Sequence, residues 1–247
     1  MIDLHCHLLP GVDDGPDTLE EALALCRHAV AAGITHSVVT PHVHPGRYEN
    51  DVRNIEQAAA ALRAELAAHH IPLALSFSGE VRISAEILEM VASGRIPFHG
   101  EWEGQRVMLL EFPHSHILPG SDRLIRWLLQ RGIRPLIAHP ERNKDIMRDL
   151  GRLHEFVHMG CLLQVTAGSL AGRFGEMAEL RACEIVEAGW ATVLASDAHN
   201  LKSRPPELAD GVAVAAGLIG EAAARALVVD NPWRMVACRF GGGTAHG

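Results

Sequence analysis
The chain has 247 residues, 48% hydrophobic but only 4% aromatic, and a formal net charge of −8. That length fits one large domain with a sizeable core built from Ala, Leu, Val and Ile. The acidic balance argues against nucleic acid, whose backbone is bound by clustered Lys and Arg, and no apolar run reaches the roughly 18 residues that span a membrane. The five cysteines (Cys6, Cys26, Cys161, Cys183 and Cys238) are far apart and form no C-x-x-C pair. This argues against a disulfide framework or a thiolate zinc site and suits a reducing cytosol. With no basic, apolar and cleavage regions at the N-terminus, the expected location is cytoplasmic.

The first element is a short buried strand over Ile2 to His7. Residues two apart on a strand point the same way, so His5 and His7 face one side and Cys6 the other. Pro10-Gly11 and Asp13-Asp14-Gly15 turn the chain back over the strand end and add hard carboxylates. Thr18-Leu-Glu-Glu21 has the capping-box pattern and opens a helix to about Ala32, with Gly33 as its left-handed stop. The second strand, Ser37 to Thr40, ends at Pro41-His42. A long helix runs from Asp51 to His69. The third strand, Leu73 to Ser78, ends at Gly79-Glu80. A shorter helix starts at Ser84 and ends near Gly94. The fourth strand, Arg106 to Leu110, ends at Glu111.

A helix over Ser121 to Gln130 leads to the fifth strand, Pro135 to Ala138, which ends at His139-Pro140-Glu141-Arg142. Another helix runs from about Ile146 to His158. The sixth strand, Cys161 to Val165, leads into a loop, Thr166 to Ser169. Glu176 to Glu187 is helical. The seventh strand, Thr192 to Ala195, ends at Ser196-Asp197-Ala198-His199. Two Ala-rich helices begin near Pro206 and Glu221. One domain is expected over residues 1–240, followed by a flexible Gly-rich tail over 241–247. Seven β-α repeats with short apolar strands indicate an α/β fold whose parallel strands are covered on both faces, either a barrel or an open doubly wound sheet.

Polar residues gather just past the strands: His5, His7 and Asp14 after the first, then His42, Glu80, Glu111, His139, and finally Asp197 and His199. In a βα barrel all these strand ends open on one face, where active sites are built. Singly, each has an ordinary structural role, Glu80 beside a helix dipole or Asp197 as an N-cap. Jointly, several acids at the mouths of apolar strands are costly unless cations neutralise them. Nine imidazole and carboxylate ligands exceed what one ion takes and fit two or three. Mixed N and O donors suit Mn²⁺, Zn²⁺ or Fe²⁺. Arg142 and Arg204 fall on the same rim and have the fork that matches phosphate oxygens. Arg82 and Arg173 are weaker candidates, and His44, His114 and His116 lie in nearby loops.

The stretches Met1-Ile-Asp-Leu-His-Cys-His7, Gly11-Val-Asp-Asp-Gly15, Thr40-Pro-His42, Gly79-Glu-Val-Arg-Ile83, Leu109-Leu-Glu-Phe-Pro113, Ala138-His-Pro-Glu-Arg142, Leu163-Gln-Val-Thr-Ala-Gly-Ser-Leu170 and Ala195-Ser-Asp-Ala-His-Asn200 resemble the PHP superfamily of metal-dependent phosphoesterases. Within it, the chain closely resembles the bacterial CpsB/YwqE-type protein tyrosine phosphatases, from Met1 to about Pro232. The resemblance implies a single-domain, distorted seven-stranded (β/α)7 barrel and three metal ions, commonly manganese. It assigns His5, His7, Glu80 and Asp197 to one ion. Glu80 bridges to a second, which also takes Glu111 and His139. Asp14, His42 and His199 hold the third. Arg142 and Arg204 take the phosphate.

The implied reaction is hydrolysis of a phosphate monoester by a metal-activated hydroxide, with a histidine near the third ion, such as His199, or a bound water as proton source. The implied partner is a phosphotyrosine protein, a tyrosine autokinase of capsule or exopolysaccharide assembly. A small-molecule phosphatase acting on histidinol phosphate or a nucleotide is the alternative on the same scaffold, and a metal-holding scaffold without turnover is a further one. A cysteine-dependent phosphatase needs Cys-x5-Arg. The residues six beyond the five cysteines are Val12, Ala32, Ala167, Gly189 and Thr244, none of them Arg.

Overall fold
The computed structural model describes residues 1–241; apart from Gly241, the expected Gly-rich tail lies outside the described residues. Strand β1 (Ile2–Cys6) leads to helix α1 (Leu19–Ala31), β2 (His36–Val39), β3 (His42–Val43) and α2 (Val52–Ala68). Then come β4 (Ala74–Phe77), β5 (Glu80–Arg82), α3 (Ile87–Ala92), β6 (Gly100–Trp102), β7 (Gln105–Glu111) and α4 (Ser121–Leu129). β8 (Ile133–Ala138) passes through a 3-10 turn (Pro140–Arg142) to α5 (Lys144–Arg148) and α6 (Gly151–His158). β9 (Leu162–Thr166), α7 (Ala167–Leu170), α8 (Glu176–Glu187), β10 (Ala191–Ala195), α9 (Ala209–Ile219), α10 (Glu221–Ala226) and α11 (Asp230–Val236) complete the order.

The strands are parallel except for β6, which pairs antiparallel with β7. They hydrogen-bond as two sheets: β1-β2-β4, and β10-β9-β8-β7-β5-β3 with β6 beside β7. Among the described residues no closed seven-stranded barrel forms. The chain breaks pairing after β2 and β4, so β3 and β5 continue in the other sheet. Gly79 marks that break: a Cβ there would lie 2.6 Å from Pro97 and 2.7 Å from Val43, so only glycine passes. Pairing runs up to the break from either side, through Ser78 N to Val39 O (2.8 Å) at the end of β2–β4 and Glu80 N to Pro41 O (3.0 Å) at the start of β3–β5. On the other side, β1 meets the end of β10 through His7 N to Ala198 O (2.8 Å) and Asp197 N to His5 O (2.7 Å).

Alternation along the strands sorts side chains into two cores. Val107, Leu109, Leu136, Ala138, Leu162 and Val193 join Ile2, Leu4 and Val38 in an inner cluster, closed from below by Trp102, Met235 and Val236. Met108, Leu110, Ile137, Leu163 and Leu194 face outward against the helices. Strands apolar on both faces are what a parallel sheet buried between layers requires. The inner alternation then turns polar: Leu109 is followed two residues on by Glu111, Leu162 by Gln164, and Ala195 by Asp197, all buried. The polar site therefore sits on an apolar floor.

Several sequence expectations change. The α1 capping box forms as read, with Thr18 and Glu21 exchanging bonds, and Gly33 adopts φ +82°. The helix expected over 146–158 is split into α5 and α6, because Asp149 is extended (φ −149°, ψ 100°). Thr166–Ser169, expected as loop, is instead the last residue of β9 and most of the short helix α7. β3, β5 and β6 are too short to give a periodic signal, and α11 is a third C-terminal helix beyond the two expected.

Candidate metal and phosphate site
The strand ends bring all nine proposed ligands into one cup. Their ligand atoms fall into overlapping groups, each within 4.8 Å: His7, Asp14, His42 and His199; His5, His7 and Glu80; His5, His139 and Asp197; and His42, Glu80 and Glu111. The trio Asp14, His42 and His199 expected at one ion is together, with His7 added. His139 groups with His5 and Asp197, yet its Nε2 is also 2.7 Å from Glu80 Oε1.

The β1 end supplies the centre. A register shift between Asp3 and Cys6 marks an irregularity, and buried Asp3 stabilises it by accepting from His5 N (3.3 Å), Ser196 N (3.0 Å) and Ser196 Oγ (2.5 Å). This ties β1 to the segment carrying Asp197. His5 and His7 then present Nε2 atoms 3.3 Å apart, while Cys6 Sγ turns away toward Val38 O (3.6 Å). His5 Nδ1 lies 2.8 Å from Gln164 Oε1 and His7 Nδ1 2.6 Å from Asp13 Oδ2. His199 Nδ1 lies 3.0 Å from the Asp197 carbonyl. In all three rings Nδ1 donates outward, which leaves the Nε2 lone pair for the cup.

Asp13 and Gln164 are the residues sequence reasoning missed. In sequence Asp13 reads as a turn carboxylate, and its adjacency to Asp14 after a His-x-His strand is the signal for an orienting group beside a ligand. Gln164 is the lone amide within the apolar strand β9, where an unpaired amide is costly. The turn that carries Asp13 crosses close over β1. A Cβ on Gly15 would lie 2.7 Å from His7 O.

Two of the proposed ligands have positive φ, His139 at 32° and Asp197 at 52°. Non-glycine residues there concentrate at functional sites. The 3-10 turn after His139 is anchored by buried Glu141, which accepts from Thr166 N (3.1 Å) and Ser169 Oγ (2.7 Å). That anchor fixes the next residue, Arg142, whose guanidinium stacks over Phe174 at 4.7 Å. Arg142 and Arg204 both donate to Asp197 Oδ2.

Burial pushes the Asp197 carboxyl up, but Arg142, His5 and Arg204 outweigh it and hold it well below the usual range. Burial likewise opposes ionisation of Glu80, and His5 and His42 overcome it. Glu111 has no such surplus: burial and the Glu80 charge raise it to about 7, despite Arg82 Nη1 at 2.9 Å from its Oε2. His199 is pushed down to about 4 by burial and by His7. Its Nε2 lies 3.3 Å from Asp14 Oδ1.

Glu80 Oε2, Asp197 Oδ1 and His199 Nε2 are buried without a hydrogen-bond partner. Glu80 Oε2 is only 2.8 Å from His42 Nδ1, so alignment and not distance is lacking. Orphaned buried acceptors facing one cup are costly. Divalent cations satisfy all three at once, so the residues present fit the metal centre that the ligand pattern implies.

Above the cup is a cavity of about 150 Å³, lined in part by Arg142 and Arg204 with Arg47, Arg82, Tyr48 and His114. Tyr48 stacks on His42 (5.5 Å, 12°), and His114 stacks on His139 (5.5 Å, 15°) with 58% of its side chain exposed. His44 lines the same cavity, and its backbone N bonds Tyr48 O at 3.0 Å. Arg173 is elsewhere, paired with Glu207 (2.5 Å) and Asp210 (3.2 Å). Cys6, Cys26 and Cys161 are buried, and burial raises all three thiols.

Comparison with known proteins adds four findings. The family model described as "Capsular polysaccharide synthesis, CpsB/CapC" matches residues 1–237. The chain is 36% identical over 204 residues to the tyrosine-protein phosphatase YwqE of Bacillus subtilis, covering 83% of this chain and 79% of that protein. It is 30% identical over 241 residues to the tyrosine-protein phosphatase CpsB of Streptococcus pneumoniae, covering 96% and 98%. A chain from the crystal structures of YwqE and CpsB, described as unique metal-dependent tyrosine phosphatases, superimposes with a TM-score of 0.88 at 32% identity, covering all of this chain and 96% of that one.

Proposed function
Because this chain belongs to the CpsB/CapC family of capsular polysaccharide synthesis, we propose that it is a metal-dependent tyrosine-protein phosphatase. Its proposed substrate is a phosphotyrosine protein, the tyrosine kinase of capsule or exopolysaccharide assembly, and its proposed location is the cytoplasm. The observation that carries the reading is the juxtaposition of nine N and O ligands in one cup with two arginines converging on Asp197 at its rim. The two sheets are taken as halves of one distorted seven-stranded PHP barrel over residues 1–240, supported by the β1–β10 contact at His5 and Asp197.

His5, His7, Asp14, His42, Glu80, Glu111, His139, Asp197 and His199 would hold three divalent ions, with manganese favoured among Mn²⁺, Zn²⁺ and Fe²⁺. When bound, such ions supply a hydroxide at neutral pH, by lowering the pKa of water from about 15.7 to near 7, together with positive charge beside the phosphoryl oxygens. The chain's own residues do the rest. Arg142 and Arg204 turn their forks from Asp197 to the phosphoryl oxygens and stabilise charge as the ester bond breaks. Asp13 and Gln164 keep His7 and His5 in the ligand tautomer. The tyrosine leaves as a phenolate of pKa about 10, so it needs less help from a proton donor than an alkoxide does. His199, which would also be a ligand, or a bound water would supply that proton.

The test is metal analysis of the purified protein beside a phosphotyrosine-peptide assay. Hydrolysis is expected to be lost in EDTA, restored by Mn²⁺ and unaffected by a thiol-alkylating reagent. His139→Ala is expected to lower turnover by several orders of magnitude. Chelator-resistant hydrolysis, or full activity in His139→Ala, overturns the reading.

A further inference from the structure
Beside the catalytic cavity lies an apolar groove of about 400 Å³ between α3 and α4, lined chiefly by Ile83, Leu88, Leu118, Pro119, Leu124 and Trp127. Leu88 is 44% exposed. An exposed leucine over a concave apolar surface is the arrangement that protein contacts cover. Two backbone segments run from the lining of the cavity to the lining of the groove. Arg82 lines the cavity and the next residue, Ile83, lines the groove; Ile83 N bonds Glu111 O at 2.9 Å. The loop after β7 does the same, placing His114 on the cavity and Leu118 in the groove. That loop is held in place by Lys144 N to His114 O (2.8 Å) and Ile117 N to Asp145 Oδ2 (3.1 Å). The groove is thus preformed. Arg123 lies on its lip, and no ion pair or hydrogen bond claims that guanidinium among the described residues.

We propose that this groove docks the substrate polypeptide next to its phosphotyrosine, with an apolar side chain against Leu88 and Trp127 and an acidic residue at Arg123. The proposal rests on the phosphatase reading above. A phosphotyrosine seated in the cavity carries its chain out over the rim, and an extended peptide advances about 3.3 Å per residue. Neighbours of the phosphotyrosine therefore reach surface that adjoins the cavity at Arg82 and Ile83. Charge points the same way. The chain carries net −8 overall, and Arg82, Arg142 and Arg204 are paired with Glu111 and Asp197, yet Arg47 in the cavity and Arg123 on this lip have no ion pair among the described residues. Such a patch selects an acidic segment.

The test uses the metal-loaded full chain, two exposed substitutions (Leu88→Asp and Arg123→Glu), and three substrates. These are p-nitrophenyl phosphate, a phosphotyrosine peptide flanked by Leu and Glu, and the same peptide flanked by Gly and Ser. Wild type is expected to show a KM about tenfold lower for the Leu/Glu peptide. Both variants are expected to lose that advantage while keeping kcat and the p-nitrophenyl phosphate kinetics. Equal KM for the two peptides in wild type overturns the docking site and leaves the phosphatase reading intact. The same holds if both variants keep the preference, or if they lose p-nitrophenyl phosphate turnover in parallel. A wild-type dimer that Leu88→Asp dissociates gives the groove to a second copy and also overturns it. Failure of wild type on all three substrates overturns the phosphatase reading itself, and this proposal with it.

Discussion
His7 Nδ1 lies 2.6 Å from Asp13 Oδ2, and both side chains are fully shielded from solvent. Asp13 also accepts from His42 N (2.9 Å) and Gly15 N (3.0 Å), so one carboxylate orients one proposed ligand and fixes the backbone of another. Burial works against both charges. Without an ion, Asp13 raises His7 to about 9 and His7 in turn lowers Asp13; an ion at Nε2 takes the place of that proton and leaves Nδ1–H on Asp13. A carboxylate behind a ligating imidazole fixes its tautomer and raises its basicity.

The first prediction follows from that pair. Asp13→Asn keeps the shape but removes the charge behind His7. Metal affinity is expected to fall about 10- to 100-fold, with the fold retained. Metal titration monitored by calorimetry, with circular dichroism as the control for folding, checks it. Unchanged affinity would remove Asp13 from the site.

The second prediction concerns the rim. Arg142 is buried, anchored through Glu141 and stacked on Phe174, whereas Arg204 is about a quarter exposed. Arg142→Ala is expected to lower kcat by about 10² to 10³, the usual cost of losing one donor to a developing oxyanion. Arg142→Lys is expected to recover little, since an ammonium cannot reproduce the fork. Arg204→Lys is expected to be milder, because a more exposed fork is less constrained. Steady-state kinetics on phosphotyrosine peptide for the three variants checks the order. A fully active Arg142→Lys would show that only charge is needed.

How much of this was legible beforehand differs by residue for physical reasons. His5, His7, Glu111 and Asp197 are readable because each caps an apolar strand, where an uncompensated polar group is costly. Helix α1 is readable because its capping box and Gly33 are local chemistry. Three-residue β5 and two-residue β3 have no periodicity to read, since their pairing is decided by neighbours distant in sequence. The split of the strands into two sheets falls where the Gly79 backbone packs against Pro97 and Val43, contacts that no local pattern encodes. Gln164 was visible as a polar residue in an apolar run, but its partner His5 lies 159 positions away.

The third prediction concerns pH and a residue with no assigned chemistry. His99 is completely buried, and neither ring nitrogen makes a hydrogen bond of ordinary geometry. Burial, then the charges of His5 and Arg239, push its pKa down to about 3. In the unfolded chain an unperturbed histidine titrates near 6.5. Between those values the unfolded state binds the extra proton, so His99 removes stability as pH falls. Its contribution is fully favourable above about 6.5 and is lost progressively toward 3. One pKa unit corresponds to about 1.4 kcal/mol, so moving from pH 6.5 to 5 costs about 2 kcal/mol through this group. His99→Phe, which cannot take up a proton, is expected to flatten the acid limb by that amount while leaving the other carboxylates and imidazoles to titrate as before. Urea unfolding of wild type and variant at pH 7.5 and pH 5, both in EDTA so that metal loss is common to each, measures the difference. Parallel pH dependence in the two proteins would show that His99 remains hydrated or partnered in solution.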